Sequence, residues 1–587
     1  MNQMTFHSLN HSLSILLVAL LVSGCLSQQQ QGEKQDSIQP VDPSLIQVRG
    51  ELNTRLMKSF DRLEDELYQL EQVFMTEEAS NWWPGDKEGR TILALTKLAQ
   101  ATGRTPKYLD TILKLFPGKV NEKGYFGTIY PEGVLDEQQL SSHGWVLRGL
   151  CEYYLWKKDP MVLGYINRII DNLVFPSKGF HQNYPIDPAK RKHGGHESGN
   201  RISEKAGNWI LSTDIGCDFI FMDGVVQAYQ VTKREKMKPL IDEMIKVFRK
   251  TDLIQIRAQT HATLTGLRAL VRYYQLTGDS SLIQTVEKDF DLYRKFARTE
   301  NYANYNWFGR PEWTEPCAVV DSYMLSSQLW QITGKPYYAE EAQLIYYNAL
   351  GFGQRANGGF GTDNCSGANS VFLHPDTYDA YWCCTMRGGD GLASIAQNLF
   401  FKSNQSISIP SFENASVNIK LENDSILLDE TTDYPFGNEV NLVVKETSLS
   451  FAPEIKLLAP EWIQNPEVLI NGKKTQTNLV NGFICFSEKL KKGDQIKYRF
   501  KLKSGAEKLQ NPNSLAGYHK YFYGPLILGH SGKEEIYLPQ QVEIELKENK
   551  TFGLKNDTLQ FVPVHHLLNP EVKKETGYQI QVLFKDF

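Results

Sequence analysis

The hydrophobic pattern of this chain changes its period once, near Ser403, and no other sequence feature constrains the fold as strongly. From about Val48 to Ser403 the pattern predicts pairs of amphipathic helices joined by short turns. Thr-Gly dipeptides mark several of these turns, because glycine readily adopts the left-handed conformation that ends a helix. The pairs recur at irregular spacing between long loops, which favours a closed (α/α)6 toroid over a regular solenoid.

After Ser403, short segments with alternating polar and apolar residues follow one another, as in half-buried strands. Asn471-Gly472 and Asn481-Gly482 are typical hairpin turns. A chain of 587 residues also exceeds what a single hydrophobic core normally organises. We therefore predict two folded domains, an (α/α)6 toroid over residues 48–403 and a β-sandwich over residues 404–587.

Residues 1–25 have the features of a bacterial lipoprotein signal peptide. Leu13 to Leu21 is apolar but too short to span a bilayer, and Val22-Ser23-Gly24-Cys25 resembles a lipobox, whose cysteine is lipidated. No Lys or Arg precedes the apolar stretch, so an ordinary secretory peptide that merely contains Cys25 is the alternative.

Residues 26–47 are polar and include the run Gln28-Gln29-Gln30-Gln31. Such a segment buries too little apolar surface to fold and is predicted to be a flexible tether. A lipidated Cys25 followed by a tether predicts a protein anchored at the bacterial cell envelope, on the periplasmic or the surface face of the outer membrane, with its folded body in water.

The composition restricts the classes of partner. A net charge of -5 argues against a nucleic-acid-binding face, which needs a basic excess. Aromatic residues make up 11% of the chain, which suits both the core of a large helical toroid and a cleft that binds sugar rings on aromatic faces.

The cysteines indicate a metal site or a reactive thiol. The chain has eight, and an odd number remains once Cys25 is lipidated, whereas disulfide-bonded secreted proteins more often have an even number. The adjacent Cys383 and Cys384 could bridge each other only with strain.

Glu315-Pro316-Cys317 and Cys383-Cys384 each lie near the predicted start of a helix. Three thiolates and one carboxylate form a plausible tetrahedral ligand set, and soft thiolates select zinc over magnesium or calcium. Cys365 is a further candidate for one of the four positions. The alternative is three buried, inert cysteines, since free cysteine packs as a small hydrophobic residue.

These motifs, in a helical toroid followed by a β-sandwich, resemble those of glycoside hydrolase family 127, the β-L-arabinofuranosidase-type enzymes. The family pattern is a Glu-x-Cys and a later Cys-Cys that together hold one zinc ion. The resemblance is carried by Glu315-Pro316-Cys317, Trp382-Cys383-Cys384-Thr385, Thr260-His261-Ala262, the stretch from Leu457 to Phe500, and Tyr523-Gly524-Pro525-Leu526.

The resemblance implies a retaining, exo-acting glycoside hydrolase that removes a terminal sugar from oligo- or polysaccharides of plant type. Cys383 would be the nucleophile, and Zn²⁺ held by Glu315, Cys317, Cys383 and Cys384 would keep its thiol deprotonated. Water would then hydrolyse the thioglycosyl intermediate.

A general acid must also protonate the leaving oxygen. The family places a Glu upstream of Glu-x-Cys in a glycine-rich stretch, and this chain has no match there. Glu300 and Glu312 are the nearest candidates. His143 and His261, each predicted to begin a toroid helix, and Asp363, in a glycine-rich loop, are candidates for contacts with the sugar.

Two other interpretations remain open from the sequence. The toroid could be a metal-free glycosidase or lyase of the unsaturated-uronyl hydrolase kind, with the cysteines merely buried. The chain could also be a surface lipoprotein that binds glycans without cleaving them. Bound zinc would favour the family 127 interpretation over both.

Overall fold

The computed structural model describes residues 38–74, 83–191, 194–532, 534–555, 558–565 and 579–586. The predicted signal peptide with Cys25 and the first part of the predicted tether lie outside these residues. The described chain forms a ring of helices, a two-sheet β-sandwich and a further C-terminal sheet. None of its helices is both long and apolar enough to cross a membrane.

Twelve helices of seven or more residues alternate along the described chain between an outer and an inner position. Most of the outer, odd-numbered helices are amphipathic and lay their apolar face on the inner helices. In chain order the helices are α1 Gly50–Arg62, α2 Asp86–Thr102, α3 Leu109–Leu115, α4 Glu137–Lys157, α5 Pro160–Ile169, α6 Cys217–Thr232, α7 Lys238–Phe248, α8 Thr260–Thr277, α9 Ser280–Phe296, α10 Pro316–Thr333, α11 Pro336–Ile345 and α12 Cys384–Gln397.

The even-numbered helices form a closed inner ring, in which each helix packs on the next and α12 packs on α2. The predicted (α/α)6 toroid is thus confirmed. The inner helices are buried around most of their circumference, so their apolar residues do not form a single stripe. Each outer helix returns the chain, and the N-termini of the inner helices therefore meet at one mouth of the ring.

Glycine lets three of the inner helices pack backbone against backbone. A Cβ atom at Gly224 of α6 would lie 2.4 Å from the carbonyl oxygen of Gly144 in α4. One at Gly89 of α2 would lie 2.3 Å from the backbone nitrogen of Val146. Both distances are far inside van der Waals contact, so these crossings require glycine.

The β-sandwich consists of two sheets that share one apolar core, and Tyr498 of the second sheet donates its hydroxyl to the Leu458 carbonyl oxygen of the first at 3.2 Å. The first sheet has the order β1 Gln39–Pro40, β7 Phe401–Lys402, β8 Ser406–Ile409, β12 Glu454–Leu458, β16 Phe483–Ser487, β15 Asn478–Val480. The second has the order β14 Lys473–Lys474, β13 Ile463–Ile470, β17 Gln495–Leu502, β11 Glu439–Thr447, β10 Asp424–Thr432, β9 Ala415–Leu421, β2 Ile46–Val48.

The tether prediction for residues 26–47 is wrong over its last part. Strand β1 pairs antiparallel with β7, and β2 pairs antiparallel with β9, so residues 39–48 add an edge strand to each sheet of the sandwich. The chain therefore enters through the sandwich before it begins the toroid at Gly50. The hydrogen bonds of these two short strands hold the segment in place.

The prediction of one sandwich over residues 404–587 is also corrected. The two sheets end at Leu502, and a third sheet follows with the order β18 Ser504–Lys508, β19 His519–Tyr523, β20 Leu526–Ser531, β23 Gln560–Pro563, β22 Phe552–Leu554, β21 Ile544–Leu546. Strand β24 Ile580–Gln581 connects β20 to β6 Phe372–Leu373, which belongs to a loop of the toroid. The third sheet thus packs back against the loop region between α11 and α12.

A small sheet lies among the loops at the mouth of the ring. It has the order β3 Leu135–Asp136, β5 Trp209–Ser212, β4 Arg201–Ala206, and β3 leads directly into α4. The chain leaves β5 through Asp214 and enters α6 at Cys217. This sheet therefore fixes one wall of the mouth.

Candidate active site

Glu315, Cys317, Cys383 and Cys384 come together at the mouth of the ring. Their ligand atoms all lie within 4.8 Å of one another. The Cys317 sulfur lies 3.3 Å from that of Cys383 and 3.9 Å from that of Cys384, and the Cys383 sulfur lies 3.9 Å from Oε1 of Glu315. The four donors are therefore arranged so that one metal ion could bind between them.

Two helix starts bring these four residues together. Glu315 is the N-cap residue of α10 and Pro316 its first helical residue, where proline's missing N–H costs nothing. Cys383 is the N-cap residue of α12, and Cys384 begins that helix. The N-terminal end of a helix carries partial positive charge, so both helices stabilise the negative charge of thiolates and a carboxylate placed there.

Arg90 supports the cluster from α2. Its Nη1 lies 3.5 Å from the sulfur of Cys317, and its Nε donates to Oδ2 of Asp86 at 2.7 Å. The guanidinium also lies over the Trp145 ring, 4.3 Å from the ring centroid. These contacts fix a buried positive charge beside the sulfur atoms.

His261 and Gln259 hold the carboxylate of Glu315. His261 Nδ1 lies 3.2 Å from Oε1, and Gln259 Nε2 donates to Oε2 at 3.4 Å. The other side of the His261 ring faces Asp321, whose Oδ1 accepts from Arg268 at 2.5 Å. A buried hydrogen-bonded network therefore orients the only carboxylate of the cluster.

The three thiols are not equivalent. Hydrogen bonds from the Cys317 and Cys384 thiols, together with the nearby charges of Arg90 and His261, hold the pKa of the Cys383 thiol well below its usual value. Burial and the neighbouring sulfur raise the pKa of Cys317. Cys383 is also half-buried, whereas Cys317 and Cys384 are buried. Cys383 is therefore the thiolate that a ligand in the mouth can reach.

The cluster lies in a cleft of about 800 Å³. Its lining combines polar groups with indole rings, as in sites that bind sugars between aromatic faces. Trp382, next to Cys383, is 49% exposed. The lining of the cleft includes Trp83, Asp86, Ser198, Gly199, Asp214, Trp313, Asp376 and Trp382.

Of the three residues predicted to contact the sugar, the cleft contains His261. His143 does not line it: it lies within α4, its Nε2 accepts from the Phe126 N–H at 3.0 Å, and its Nδ1 lies 2.7 Å from the Gln139 carbonyl oxygen. Asp363 is buried in an ion pair with Arg355 at 2.7 Å. Both predictions are corrected, because these side chains are already bound inside the protein.

The two predicted acids do not line the cleft either. Glu300 is buried, and its Oε2 lies 3.3 Å from Nζ of Lys520 in the third sheet. Glu312 forms a partly exposed ion pair with Arg310. Cys365 is separate from the cluster too, since its sulfur contacts Thr314 and the backbone around Glu312.

Sequence reasoning missed several groups that do line the cleft. Asp86 and Arg90 are spaced four residues apart at the start of α2, a spacing that predicts an ion pair on one helix face. Asp214, Trp83 and Trp313 lie in loops, and their place in the cleft depends on the closure of the ring.

The family comparison concerns the sandwich. The family model described as the middle domain of GH127 beta-L-arabinofuranosidases matches residues 406–502. These bounds agree with the two-sheet sandwich, which begins its continuous run of strands at Ser406 and ends at Leu502. No curated protein sequence matches the chain.

Solved structures match the fold over most of the chain. A GH127 beta-arabinofuranosidase has a TM-score of 0.67 at 14% identity and covers 94% of this chain and 99% of its own. A GH127 beta-L-arabinofuranosidase from Geobacillus stearothermophilus T6 has a TM-score of 0.67 at 14% identity, with 92% and 100% covered. A protein described as a glycoside hydrolase has a TM-score of 0.69 at 13% identity, with 94% and 98% covered.

The predicted resemblance is thus confirmed in two ways, by the sequence of the sandwich and by the fold of nearly the whole chain. Residues 406–502 match the middle domain of glycoside hydrolase family 127, and the described chain has the fold of solved members of that family.

Proposed function

We propose that this protein is a retaining exo-glycoside hydrolase of the β-L-arabinofuranosidase type, with Cys383 as its nucleophile. One observation carries the proposal: the most accessible and most acidic thiol of a three-cysteine cluster lies in a cleft lined with indole rings. The type of sugar is supported by the similar solved structures, two of which are arabinofuranosidases.

The cluster fits zinc. Ligands at about 2.3 Å in a tetrahedron place two sulfur atoms ~3.8 Å apart, and the measured separations from Cys317 are 3.3 and 3.9 Å. Glu315, Cys317, Cys383 and Cys384 would hold the ion. When bound, zinc would supply the positive charge that keeps these thiols deprotonated at neutral pH.

The residues of the chain account for the covalent step. The Cys383 sulfur attacks the anomeric carbon, a C–S bond forms as the glycosidic C–O bond breaks, and the electron pair leaves with the oxygen. Arg90 and His261 stabilise negative charge at the cluster before the attack. Water then attacks the same carbon from the vacated side and returns the electron pair to sulfur, so that the configuration is retained.

The test is cleavage of aryl β-L-arabinofuranosides by the purified protein, beside the corresponding galactosides, rhamnosides and unsaturated uronides. We expect cleavage of the arabinofuranoside, and a loss of more than about 10³-fold in Cys383→Ala. Cys485→Ala, a free cysteine of the sandwich, is the matched control and should keep full activity.

Two measurements separate this proposal from its rivals. Elemental analysis should find one zinc per chain, and a protein without zinc that cleaves an unsaturated uronide would support a metal-free enzyme instead. Mass spectrometry with a slow substrate should find a pentosyl adduct on Cys383. A protein that binds glycans and cleaves none would be a binding lipoprotein.

We also propose that Cys25 is lipidated and anchors the protein to the cell envelope. The support is the lipobox-like Val22-Ser23-Gly24-Cys25 after an apolar stretch. Labelling of wild-type protein with a fatty acid, absent in Cys25→Ala, would support the anchor. Equal release of both proteins into the soluble fraction would contradict it.

A further inference from the structure

The reaction proposed above leaves one proton without a donor. A sugar alkoxide is a poor leaving group, so its oxygen needs a proton as the C–O bond breaks. Both acids predicted from the sequence, Glu300 and Glu312, lie in ion pairs away from the cleft. The donor must therefore be a group that the fold, rather than a local motif, brings to Cys383.

Among the residues that the structure describes, three carboxyl groups line the cleft besides Glu315, and their partners distinguish them. Asp86 is ion-paired with Arg90 at 2.7 Å. Asp376 is partly exposed to solvent, with the His374 ring 3.4 Å from its Oδ1. Asp214 is 3% exposed, and within the described ranges no lysine, arginine or histidine forms an ion pair with it.

The surroundings of Asp214 hold it in one orientation. The Ser198 hydroxyl donates to Oδ1 at 2.9 Å, and the Gly199 N–H donates to Oδ2 at 2.9 Å. Its backbone N–H lies 3.2 Å from the Ser212 hydroxyl at the end of β5. Asp214 is thus fixed on the wall of the mouth formed by the small sheet, and it lines the same cleft as Glu315 and Cys383.

We propose that Asp214 is the general acid and base of this enzyme, in place of the glutamate that the family pattern has and this chain lacks. The inference rests on the proposed function and identifies a second catalytic residue for it.

Asp214 releases one proton and recovers one proton in each turnover. In the first step Asp214 gives its proton to the leaving oxygen while the Cys383 sulfur bonds to the anomeric carbon, and Asp214 becomes a carboxylate. In the second step that carboxylate takes a proton from the attacking water, and the C–S bond breaks with its electron pair on sulfur. Each turnover restores the protonated acid and the thiolate.

Burial agrees with this role. Burial first, and the carboxylate of Glu315 second while no metal ion is bound to it, raise the pKa of Asp214 to about 7. A carboxyl group in such a position can both release and accept a proton near neutral pH. The hydrogen bonds that Ser198 and Gly199 donate to its oxygen atoms stabilise the carboxylate form that the second step needs.

The test is the dependence of rate on the leaving group in Asp214→Asn. The probes are 2,4-dinitrophenyl β-L-arabinofuranoside, whose leaving group needs no proton, and an arabinofuranosyl disaccharide, whose leaving group does. We expect kcat/KM on the disaccharide to fall by about 10²- to 10⁴-fold and on the dinitrophenyl glycoside by less than about tenfold. Added azide should then accelerate turnover and yield the glycosyl azide.

Asp376→Asn is the matched control, because it removes another carboxylate of the same cleft. This variant should change kcat/KM by the same factor on both substrates, or leave it unchanged on both. If Asp214→Asn does not fold, Asp214→Ala replaces it in the same test, with formate added to fill the space of the carboxyl group.

Equal losses on both substrates in the Asp214 variants, or a leaving-group dependence found in Asp86→Asn instead, would overturn the assignment. These results differ from failure of the proposed function itself. In that case wild-type protein would cleave neither glycoside, or Cys383→Ala would remain active.

Discussion

His261 Nδ1 lies 3.2 Å from Oε1 of Glu315, and the His261 ring stacks on Trp145 with a centroid distance of 5.6 Å. The imidazole therefore joins the carboxylate of the cluster to the buried aromatic core of the ring. Partners that orient a metal ligand commonly change metal affinity by about 10- to 100-fold when they are removed.

We therefore expect His261→Asn to weaken zinc binding by about 10- to 100-fold while Cys317, Cys383 and Cys384 remain in place. Competition with a chromogenic chelator measures this affinity. His374→Asn, a partly exposed histidine outside the cluster, should leave it unchanged. Unchanged affinity in His261→Asn would show that Glu315 needs no such support.

Trp382 is the residue before the proposed nucleophile, and half of its side chain is exposed in the cleft. Its ring lies 5.0 Å from that of Tyr381 in an edge-to-face arrangement, and an exposed indole of this kind can stack on a sugar ring. We expect Trp382→Ala to raise KM for an oligosaccharide by about 5- to 30-fold, the equivalent of about 1–2 kcal/mol of lost stacking.

The control for this change is Tyr537→Ala, which removes an aromatic ring of similar exposure from the C-terminal region. Its KM should match that of the wild type. A Trp382→Ala variant with unchanged KM for every oligosaccharide tested would place the sugar elsewhere in the cleft.

The packing of α6 on α4 predicts a large difference between two Gly-to-Ala changes in helices. A Cβ atom at Gly224 would lie 2.4 Å from the Gly144 carbonyl oxygen, so Gly224→Ala should destabilise the ring by about 1–3 kcal/mol or more. Gly164 in α5 has no atom within 4 Å of a Cβ at that position, so Gly164→Ala should stabilise the protein by up to about 1 kcal/mol. Opposite shifts of the melting temperature would confirm this, and equal shifts would contradict it.

The two histidines show what the sequence could predict of the site and what it could not. Both were expected to begin a helix. Thr260 does begin α8, so His261 lies at the mouth. Helix α4, however, begins at Glu137, so His143 lies almost two helical turns after its start, away from the mouth. Asp136, whose side chain accepts from the Gln138 and Gln139 N–H groups, is the capping signal that marks the true start of α4.

The remaining differences come from contacts between distant parts of the chain. The cluster of Glu315, Cys317, Cys383 and Cys384 was predictable because both of its motifs lie at helix starts, which a toroid gathers at one end. Glu300 is bound by Lys520, more than two hundred residues later, and no local pattern indicates that pairing. Strands β1 and β2, at two and three residues, are too short to show an alternating pattern.

Glu413 predicts how the stability of the fold depends on pH. It is buried at the junction of the sandwich and the toroid, where its backbone N–H donates to Oε1 of Glu430 at 3.1 Å. Burial first, and the charge of Glu51 second, raise the pKa of Glu413 from 4.5 to about 8, against smaller opposing contributions from Tyr346 and Arg55.

The sign of the effect follows from proton uptake. Between pH 4.5 and about 8 the folded protein keeps a proton on Glu413 that the unfolded chain has released, so the stability contribution of this group is complete below pH 4.5 and declines as the pH rises towards 8. The slope is on the order of 1 kcal/mol per pH unit.

Glu413→Gln, which stays neutral at every pH, should remove this part of the decline. Urea unfolding at pH 5, 6, 7 and 8 measures it, and the exposed Glu488→Gln should follow the wild type. If Glu413→Gln and wild-type stabilities fall in parallel over this range, Glu413 is ionised in the folded protein, and the junction then has to compensate its buried charge.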